Sequence, residues 1–444
     1  MTALALITAM YFWAQRDWLH FSWTFLDERA PLWFYLLPLI WIFLIVDLYD
    51  IRKANNRADT LRGILFAAGF SILIYLFVFF VSPPNSLPRR GVAFFLVGVS
   101  LFTLLWRLLY IQVFTGHIFR RRALIVGAGK AGATIRNIIR EVPSAPFEII
   151  GWIDDDPEKQ NQMIEGLPVL GPGTQLVEIA QKEAITDIIF AITGEMNPAM
   201  FQSLMDAGEK GVEITTMPVA YEEILGRVPI FLLQSDWMLR SFIDQTHVDG
   251  FFEFTKRFID LIIGLAGLVV MTALAPLISL GIVLDDGFPI FFSQPRVGKN
   301  GVNYSILKFR TMRKDDNTQK KDRTAGYETG RITRFGKILR KSHLDELPQV
   351  FNILKGEMSM VGPRSEQPGL VKSFQKEIPF YRTRLFVKPG LTGWAQINYK
   401  YADTIEDTAV KLEYDLYYIK KRTLLMDISI ILRTIWTVIG LKGR

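Results

Sequence analysis

The chain has 444 residues, 50% of them apolar, with a formal net charge of +7. That composition points to a membrane protein of about two to four domains. The absence of cysteine excludes disulfides and cysteine–zinc sites, and four scattered histidines (His20, His117, His247, His343) disfavour a metal cluster or a Ser-His-Asp triad. Carboxylates and cations must carry any chemistry. The basic balance fits cytoplasmic loops, anionic lipid and a phosphate-bearing substrate. No basic stripe with interleaved aromatics speaks for nucleic acid.

Four apolar segments fall in residues 1–115. Leu4–Trp13 is short and lacks a small-residue cleavage site, so it reads as part of a first helix rather than a signal peptide. Leu32–Leu48, Ile64–Val81 and Val92–Val113 approach the ~20 residues that cross a bilayer. Arg52, Lys53, Arg57 and Arg62 follow the second segment, and Arg120, Arg121 and Arg122 follow the fourth. The positive-inside rule places both sets in the cytoplasm, outvoting Arg89 and Arg90. The expectation is a four-helix transmembrane bundle with the rest of the chain starting on the cytoplasmic side.

Residues 116–245 read as a Rossmann-like α/β domain. "ALIVGAGKAG" is a strand running into a glycine-rich turn; "FEIIGWIDDD", "TDIIFAIT" and "GVEITTMP" are further strands with helical segments between. Gly127, Gly129 and Gly132 form a GxGxxG, which can cradle a pyrophosphate at a helix N-terminus. Asp154 comes later than the usual ~20 residues, and no Tyr-x-x-x-Lys pair follows for hydride chemistry. A tight strand–helix turn is the first reading and regulatory nucleotide binding the second; no NAD is expected.

From Leu261 to Leu284 the chain is apolar throughout. Lys256, Arg257 and Asp260 precede or open the run; Arg296, Lys299, Lys308 and Arg310 follow it, so both flanks look cytoplasmic. Pro276 removes a backbone donor in mid-run. A helix over about 256–284 that breaks at Pro276 and returns to the same face satisfies both observations.

Residues 246–444 hold the chemistry. "YSILKF" is a strand delivering Lys308 and Arg310, and Arg331, Arg334, Lys337, Arg340 and Lys341 form a second basic cluster. Such cations suit phosphate or anionic lipid. Leu347, Val350, Phe351 and Leu354 fall on one helical face. Pro348 is tolerated only in a first turn, so the helix begins near Asp345 and ends at Gly356. Asp345 and Glu346 then lie at its positive end. An N-capping pair and a catalytic pair both fit that position.

Several long stretches resemble the bacterial polyprenyl-phosphate hexose-1-phosphate transferases, the monotopic phosphoglycosyl transferases. They are "KRFIDLIIG", "KFRTM", "RITRFGKILRKSHLDELPQVFNILKGEMSMVGPR", "VKPGLTGWAQINY" and "EYDLYYI". The four spans and Rossmann-like (CoA-binding-type) domain match the large members, and "INYKYADTIEDTAVKLEYDLYYI" is nearest the exopolysaccharide-associated branch. Ala275-Pro276 stands where Ser-Pro is common, and "KKRTLLMDI" where a tryptophan-containing stretch is commoner. The resemblance implies a bacterial inner-membrane enzyme, catalytic on the cytoplasmic face, that transfers sugar-1-phosphate from a UDP-sugar to undecaprenyl phosphate and releases UMP. It implies Asp345 as nucleophile, Glu346 as its partner for magnesium or protons, and Mg²⁺ held by one or both. Lys308, Arg310, Arg340 and Arg364 are the expected phosphate contacts, with Gly362 and Pro363 as a rigid turn presenting Arg364. Gly390, Gly393 and Trp394 would shape a nearby loop. Membrane lipid and a second copy of the chain are the implied partners. The competing readings are a membrane-tethered nucleotide-sugar oxidoreductase or dehydratase, and a non-enzymatic scaffold or sensor.

Overall fold

The structure is a computed structural model and describes residues 1–45, 57–81, 88–114, 121–142, 145–194, 196–233, 241–242, 250–313, 331–399 and 404–439. Arg52, Lys53 and Arg120 lie outside them. Two compact units divide the chain, Met1–Ala220 and Tyr221–Arg444. The second begins upstream of the expected start at 246.

The first unit opens with apolar helices: α1 (Thr2–Ala14), α2 (Trp23–Arg29), a 3-10 turn (Leu32–Leu36) continuing into α3 (Leu37–Leu44), α4 (Arg57–Val81) and α5 (Arg89–Phe114). Of these, α4 and α5 are long and apolar enough to cross a membrane, whereas α1 and Leu32–Leu44 are shorter. A buried hydrogen bond, Trp41 Nε1 to Thr103 Oγ1 (3.0 Å), ties α3 to α5.

The same unit holds an α/β sheet. β1 (Arg121–Val126), β2 (Phe147–Ile153), β4 (Leu167–Gly171), β5 (Asp187–Phe190) and β6 (Glu213–Thr216) are parallel, and β3 (Met163–Ile164) joins β4 antiparallel at one edge. The spatial order is β3-β4-β2-β1-β5-β6. Central strands covered on both faces read as unbroken apolar runs, and Ala123–Val126 are buried. The connecting helices are α6 (Lys130–Glu141), α7 (Leu176–Lys182) and α8 (Pro198–Glu209). The four expected strands are present; β3 and β4, joined around Gly166 (φ +76°), were not expected.

The unit boundary falls within α9 (Met217–Leu225). The second unit is organised around α10 (Gly250–Asp286), 37 residues long. The expected break at Pro276 is not observed: the helix continues through it. A proline costs a helix interior about 3 kcal/mol, which the remaining hydrogen bonds and lateral packing of so long a helix outweigh. Its exposed residues include Phe254, Phe258, Ile262, Val269, Leu277 and Leu284.

The other face of α10 is pinned to the unit along its length. Arg257 donates to the carbonyls of Ile353 (2.6 Å) and Leu354 (2.7 Å), and Asp260 accepts from Met360 N (2.8 Å) and Ser359 Oγ (3.0 Å). Gly264 and Gly267 admit Leu354 and Val350 so closely that a Cβ on either glycine would lie 2.9 Å from them. Further along, Ile278 and Ile282 share a core with Phe309 and Leu339, and Asp285 accepts from Phe335 N (2.7 Å).

Around α10 lie the antiparallel pair β7 (Phe291–Val297) and β8 (Asn303–Phe309), α11 (Arg334–Lys341), α12 (Val350–Lys355), α13 (Pro368–Glu377), α14 (Trp394–Asn398), α15 (Ile405–Lys421) and α16 (Leu424–Ile439). A short parallel pair joins β9 (Ser359–Val361) to β10 (Gly390–Thr392). The terminal helix α16 buries Ile430 and Asp427 and exposes Leu425 and Ile435. Val228 and Ile230 enter the same core as Val361, Leu416 and Ile430, so the segment after α9 belongs to this unit.

Candidate active site

The dyad stands on a 3-10 turn, Leu344–Gln349, rather than in the first turn of an α-helix. Pro348 has no N–H, and its ring would crowd the Leu344 carbonyl in an α-helix. The chain takes the tighter turn and becomes helical at Val350. The residue before the turn is His343 (φ +55°), with no side-chain cap. A 3-10 turn rotates each residue further than an α-helix. The buried face therefore holds Val350, Asn352 and Ile353, while Phe351, expected inside, is exposed. Gly356 (φ +85°) ends the helix as expected.

The two acids have different surroundings. Asp345 is buried, 7% exposed, and its carboxylate makes no side-chain hydrogen bond or ion pair among the described residues. Burial pushes its pKa up, as does neighbouring Glu346, against the opposing pull of Lys308, Arg340 and Arg364. Glu346 is fully engaged. Its Oε1 accepts from Lys308 Nζ (2.8 Å) and from Arg364 Nη2, and Arg364 Nη1 lies 3.4 Å from Oε2. Burial opposes its ionisation, but the Arg364 and Lys308 cations outweigh it and hold the Glu346 carboxyl far below the usual range.

Lys308 reaches the site from β8, opposite Phe292 of β7. The buried Asn352 fixes that strand to α12, accepting from Leu307 N (3.2 Å) and donating to Ser305 O (2.8 Å). Arg364 follows Gly362-Pro363 in a loop clamped against β10. Gly362 N donates to Thr392 O (2.9 Å), and Gly390 N to Pro363 O (3.0 Å). A Cβ on Gly362 would lie 3.0 Å from Gly390 N and closer still to the Lys388 carbonyl, so only glycine fits. Gly390 and Gly393 approach Gly362 as closely, which gives both a packing role. Trp394 donates to Gly226 O (2.8 Å) and stacks on Tyr417.

Asp345, Glu346, Lys308, Arg340 and Arg364 are thus gathered, with Gly362 and Pro363 behind them. Arg340 is half-buried, with Nη2 3.8 Å from Met312 Sδ. Arg310 is engaged elsewhere, closing the C-terminus of α10 through Asp286 O (2.5 Å), Asp286 Oδ2 (3.0 Å) and Gly287 O (2.7 Å). Lys256 donates to Val361 O (3.0 Å) and Asp427 Oδ2 (2.6 Å), so it joins Arg257 and Asp260 in tying α10 to the domain. Gly127, Gly129 and Gly132 belong to the other unit. There Gly127 has φ +102°, and Asp154 accepts from Ala128 N (2.8 Å) while paired with Lys159 (3.1 Å).

No group of three or more His, Asp or Glu side chains forms a metal cage among the described residues. The donor set nevertheless fits magnesium, which binds through one or two carboxylates plus substrate phosphates and keeps several waters. Asp345 offers a carboxylate with no side-chain partner among the described residues, whereas Glu346 beside it is already engaged by Lys308 and Arg364.

Residues 251–441 match the family model for bacterial sugar transferases, and residues 44–218 match a CoA-binding domain. A protein of Xanthomonas campestris pv. campestris named UDP-glucose:undecaprenyl-phosphate glucose-1-phosphate transferase is 31% identical over 336 residues, 72% of this chain and 67% of its own. The chain belongs to the bacterial sugar transferase family. A UDP-N-acetylgalactosamine-undecaprenyl-phosphate N-acetylgalactosaminephosphotransferase of Aeromonas hydrophila is 39% identical over 218 residues, 49% of this chain and 50% of that protein. An Escherichia coli K12 UDP-glucose:undecaprenyl-phosphate glucose-1-phosphate transferase is 29% identical over 71% of this chain and 67% of its own. The match thus spans half to two thirds of these relatives' lengths.

Some residues that build the site were not singled out in the sequence. Asn352 is one. Glu366 is another, held by Lys411 (2.7 Å) and Arg296 (3.6 Å) directly behind Arg364. Lys411 and Asp415 lie one turn apart on α15, a spacing that could have flagged a functional face.

Proposed function

We propose that this transferase moves a sugar-1-phosphate from a UDP-sugar to undecaprenyl phosphate, through a covalent intermediate on Asp345, and so starts the assembly of a bacterial surface polysaccharide. The observation that carries the reading is the contrast within the dyad: Asp345 is buried with no side-chain partner among the described residues, whereas Glu346 is neutralised by two cations. A nucleophile needs free lone pairs, and an activated carboxylate splits one difficult substitution into two.

In the first step a carboxylate oxygen of Asp345 attacks the β-phosphorus of the UDP-sugar. The new O–P bond forms as the bridging P–O bond breaks, and UMP departs with the electron pair. In the second step an oxygen of undecaprenyl phosphate attacks that phosphorus. Asp345 is released as carboxylate, and the product is the lipid diphosphate sugar. Phosphoryl transfer depends mainly on positioning and charge neutralisation. Lys308, Arg340 and Arg364 supply three positive charges against the two of the dyad, leaving a field that favours a diphosphate. Magnesium, when bound, neutralises charge developing on the diphosphate oxygens. Glu346 holds Lys308 and Arg364 in place.

The active site works at the cytoplasmic face of the bacterial inner membrane, with the N-terminal helices crossing the bilayer and both ends of α10 held on the cytoplasmic side. Support comes from packing: Lys256, Arg257 and Asp260 at one end of α10, and Asp285 and Asp286 at the other, all bind one compact unit. A helix crossing ~30 Å of hydrocarbon would carry its two ends to opposite faces. Function as a homodimer is part of the proposal and is read by mass photometry in nanodiscs. The test of the activity is UMP release across a panel of UDP-sugars, with and without undecaprenyl phosphate and magnesium. Repeated turnover with one or more sugars, dependent on lipid phosphate and magnesium, is expected, with no more than a single turnover when lipid phosphate is absent; no release with any sugar refutes the reading.

A further inference from the structure

The charged network behind Arg364 extends to the "EYDLYYI" stretch of α15 through Asp415. Arg384 is 5% exposed. Its Nη2 donates to the backbone carbonyl of Arg364 (2.8 Å), and its Nη1 donates to Tyr381 Oη (2.6 Å). The same Nη2 lies 2.8 Å from Asp415 Oδ2 on α15, and Asp415 is 1% exposed. One turn earlier on α15, Lys411 holds Glu366, and Arg296 Nη1 donates to Ser365 O (3.1 Å). The carbonyls of two consecutive residues, Arg364 and Ser365, therefore each accept from a separate guanidinium.

A buried guanidinium held by a buried carboxylate is expensive to desolvate, and such a pair is weak evidence for stability alone. What it provides is direction. A rigid, forked cation with three partners fixes the peptide that carries Arg364, and the Arg364 side chain then reaches Glu346. We propose that Arg384, locked by Asp415, is a positioning residue that aims Arg364 at the dyad. This rests on the transferase reading above. Lysine at 384 would keep the charge without the fork, so it would reach one of the three partners and not all of them.

The experiment is a double-mutant cycle in the full chain, reading kcat/KM for UMP release against pH, with thermal unfolding measured on the same samples. Losing a hydrogen bond to a charged group in the transition state costs roughly 10- to 100-fold. Arg384→Gln is expected to lose activity on that scale, Arg384→Lys to recover little of it, and Arg364→Gln to lose at least as much. The double variant should be no slower than Arg364→Gln within about threefold, because the first residue acts only through the second. The pH profile adds a readout that a merely structural loss would not move. Glu346, Lys308, Arg340 and Arg364 face Asp345. Displacing the Arg364 cation removes one of the charges that favour ionised Asp345, so the acid limb of kcat/KM should move to higher pH in Arg384→Gln. Asp415→Asn, which keeps shape and one acceptor, should move the limb the same way with a smaller loss. Multiplicative losses in the double variant, or an unmoved acid limb with only a lower plateau, overturn the proposal. If Arg384→Gln does not fold, Asp415→Asn against Arg364→Gln decides it by the same criteria. No turnover by the wild-type protein would refute the transferase reading itself, and this inference would fall with it.

Discussion

Replacing Gly362 by alanine should damage both stability and turnover. The added Cβ would stand 3.0 Å from Gly390 N and 3.2 Å from Pro389 C, with the Lys388 carbonyl nearer still, all of them backbone atoms. No side chain can swing aside, so β9 and β10 must separate by about an ångström. That movement stretches two hydrogen bonds beyond useful length, Gly362 N to Thr392 O (2.9 Å) and Gly390 N to Pro363 O (3.0 Å). At about 1 kcal/mol each, added to ~1–3 kcal/mol for overpacking, the cost is roughly 3–5 kcal/mol. For a unit of this size the unfolding midpoint should fall by about 6–20 °C. Arg364, two residues on, should lose its grip on Glu346, lowering kcat/KM beyond the loss of folded protein. The assay is thermal unfolding in nanodiscs beside UMP release at a temperature where the variant is folded. An unchanged midpoint together with wild-type turnover would refute the reasoning.

Three further outcomes are expected. Glu346→Gln should lower the plateau of kcat/KM and move its acid limb to lower pH, because Asp345 loses the negative neighbour that helps raise its pKa; a pH–rate profile measures it. In the other unit, Gly132→Ala should destabilise strongly, since its Cβ would fall on the Gly127 carbonyl, while Gly129→Ala, facing open space, should cost about 1 kcal/mol or less; unfolding of the two variants compares them. Burial raises the pKa of Glu413 to about 7 despite nearby Arg227 and the Tyr221 hydroxyl. The folded protein thus binds more protons there than the unfolded chain between the ordinary glutamate pKa and about 7. The contribution of Glu413 to stability should therefore fall as pH rises across that window and level off above it, and Glu413→Gln should remove the slope in denaturation measured from pH 5 to 8.

The sequence carried the fold best where one local signal dominates. The strands of Ala123–Val126 and Ile188–Phe190 are apolar runs in a parallel sheet, and Gly356 ends the dyad segment as expected. Periodicity misplaced Phe351 because the 3-10 turn at Asp345 changes the angular step, which no α-helical template includes. Pro276 marked an interruption that packing over the length of α10 overrides. Arg310 and Lys308 stand two apart in one strand, yet one closes a helix and the other binds Glu346. Charge and spacing suggested both as phosphate contacts, and only tertiary placement separates them. Arg384 and Asp415 are far apart in sequence and meet through the fold, so no local pattern joins them.

The central claim is that Asp345 becomes covalently bound to the sugar phosphate. It is tested most directly by incubating the protein with its UDP-sugar and magnesium without lipid phosphate, quenching in acid, and mapping the mass increase to a residue. The account predicts a sugar-phosphate adduct on the peptide containing Asp345, chased by undecaprenyl phosphate and absent from Asp345→Asn. An adduct that persists in Asp345→Asn, or one located on another residue, would contradict it.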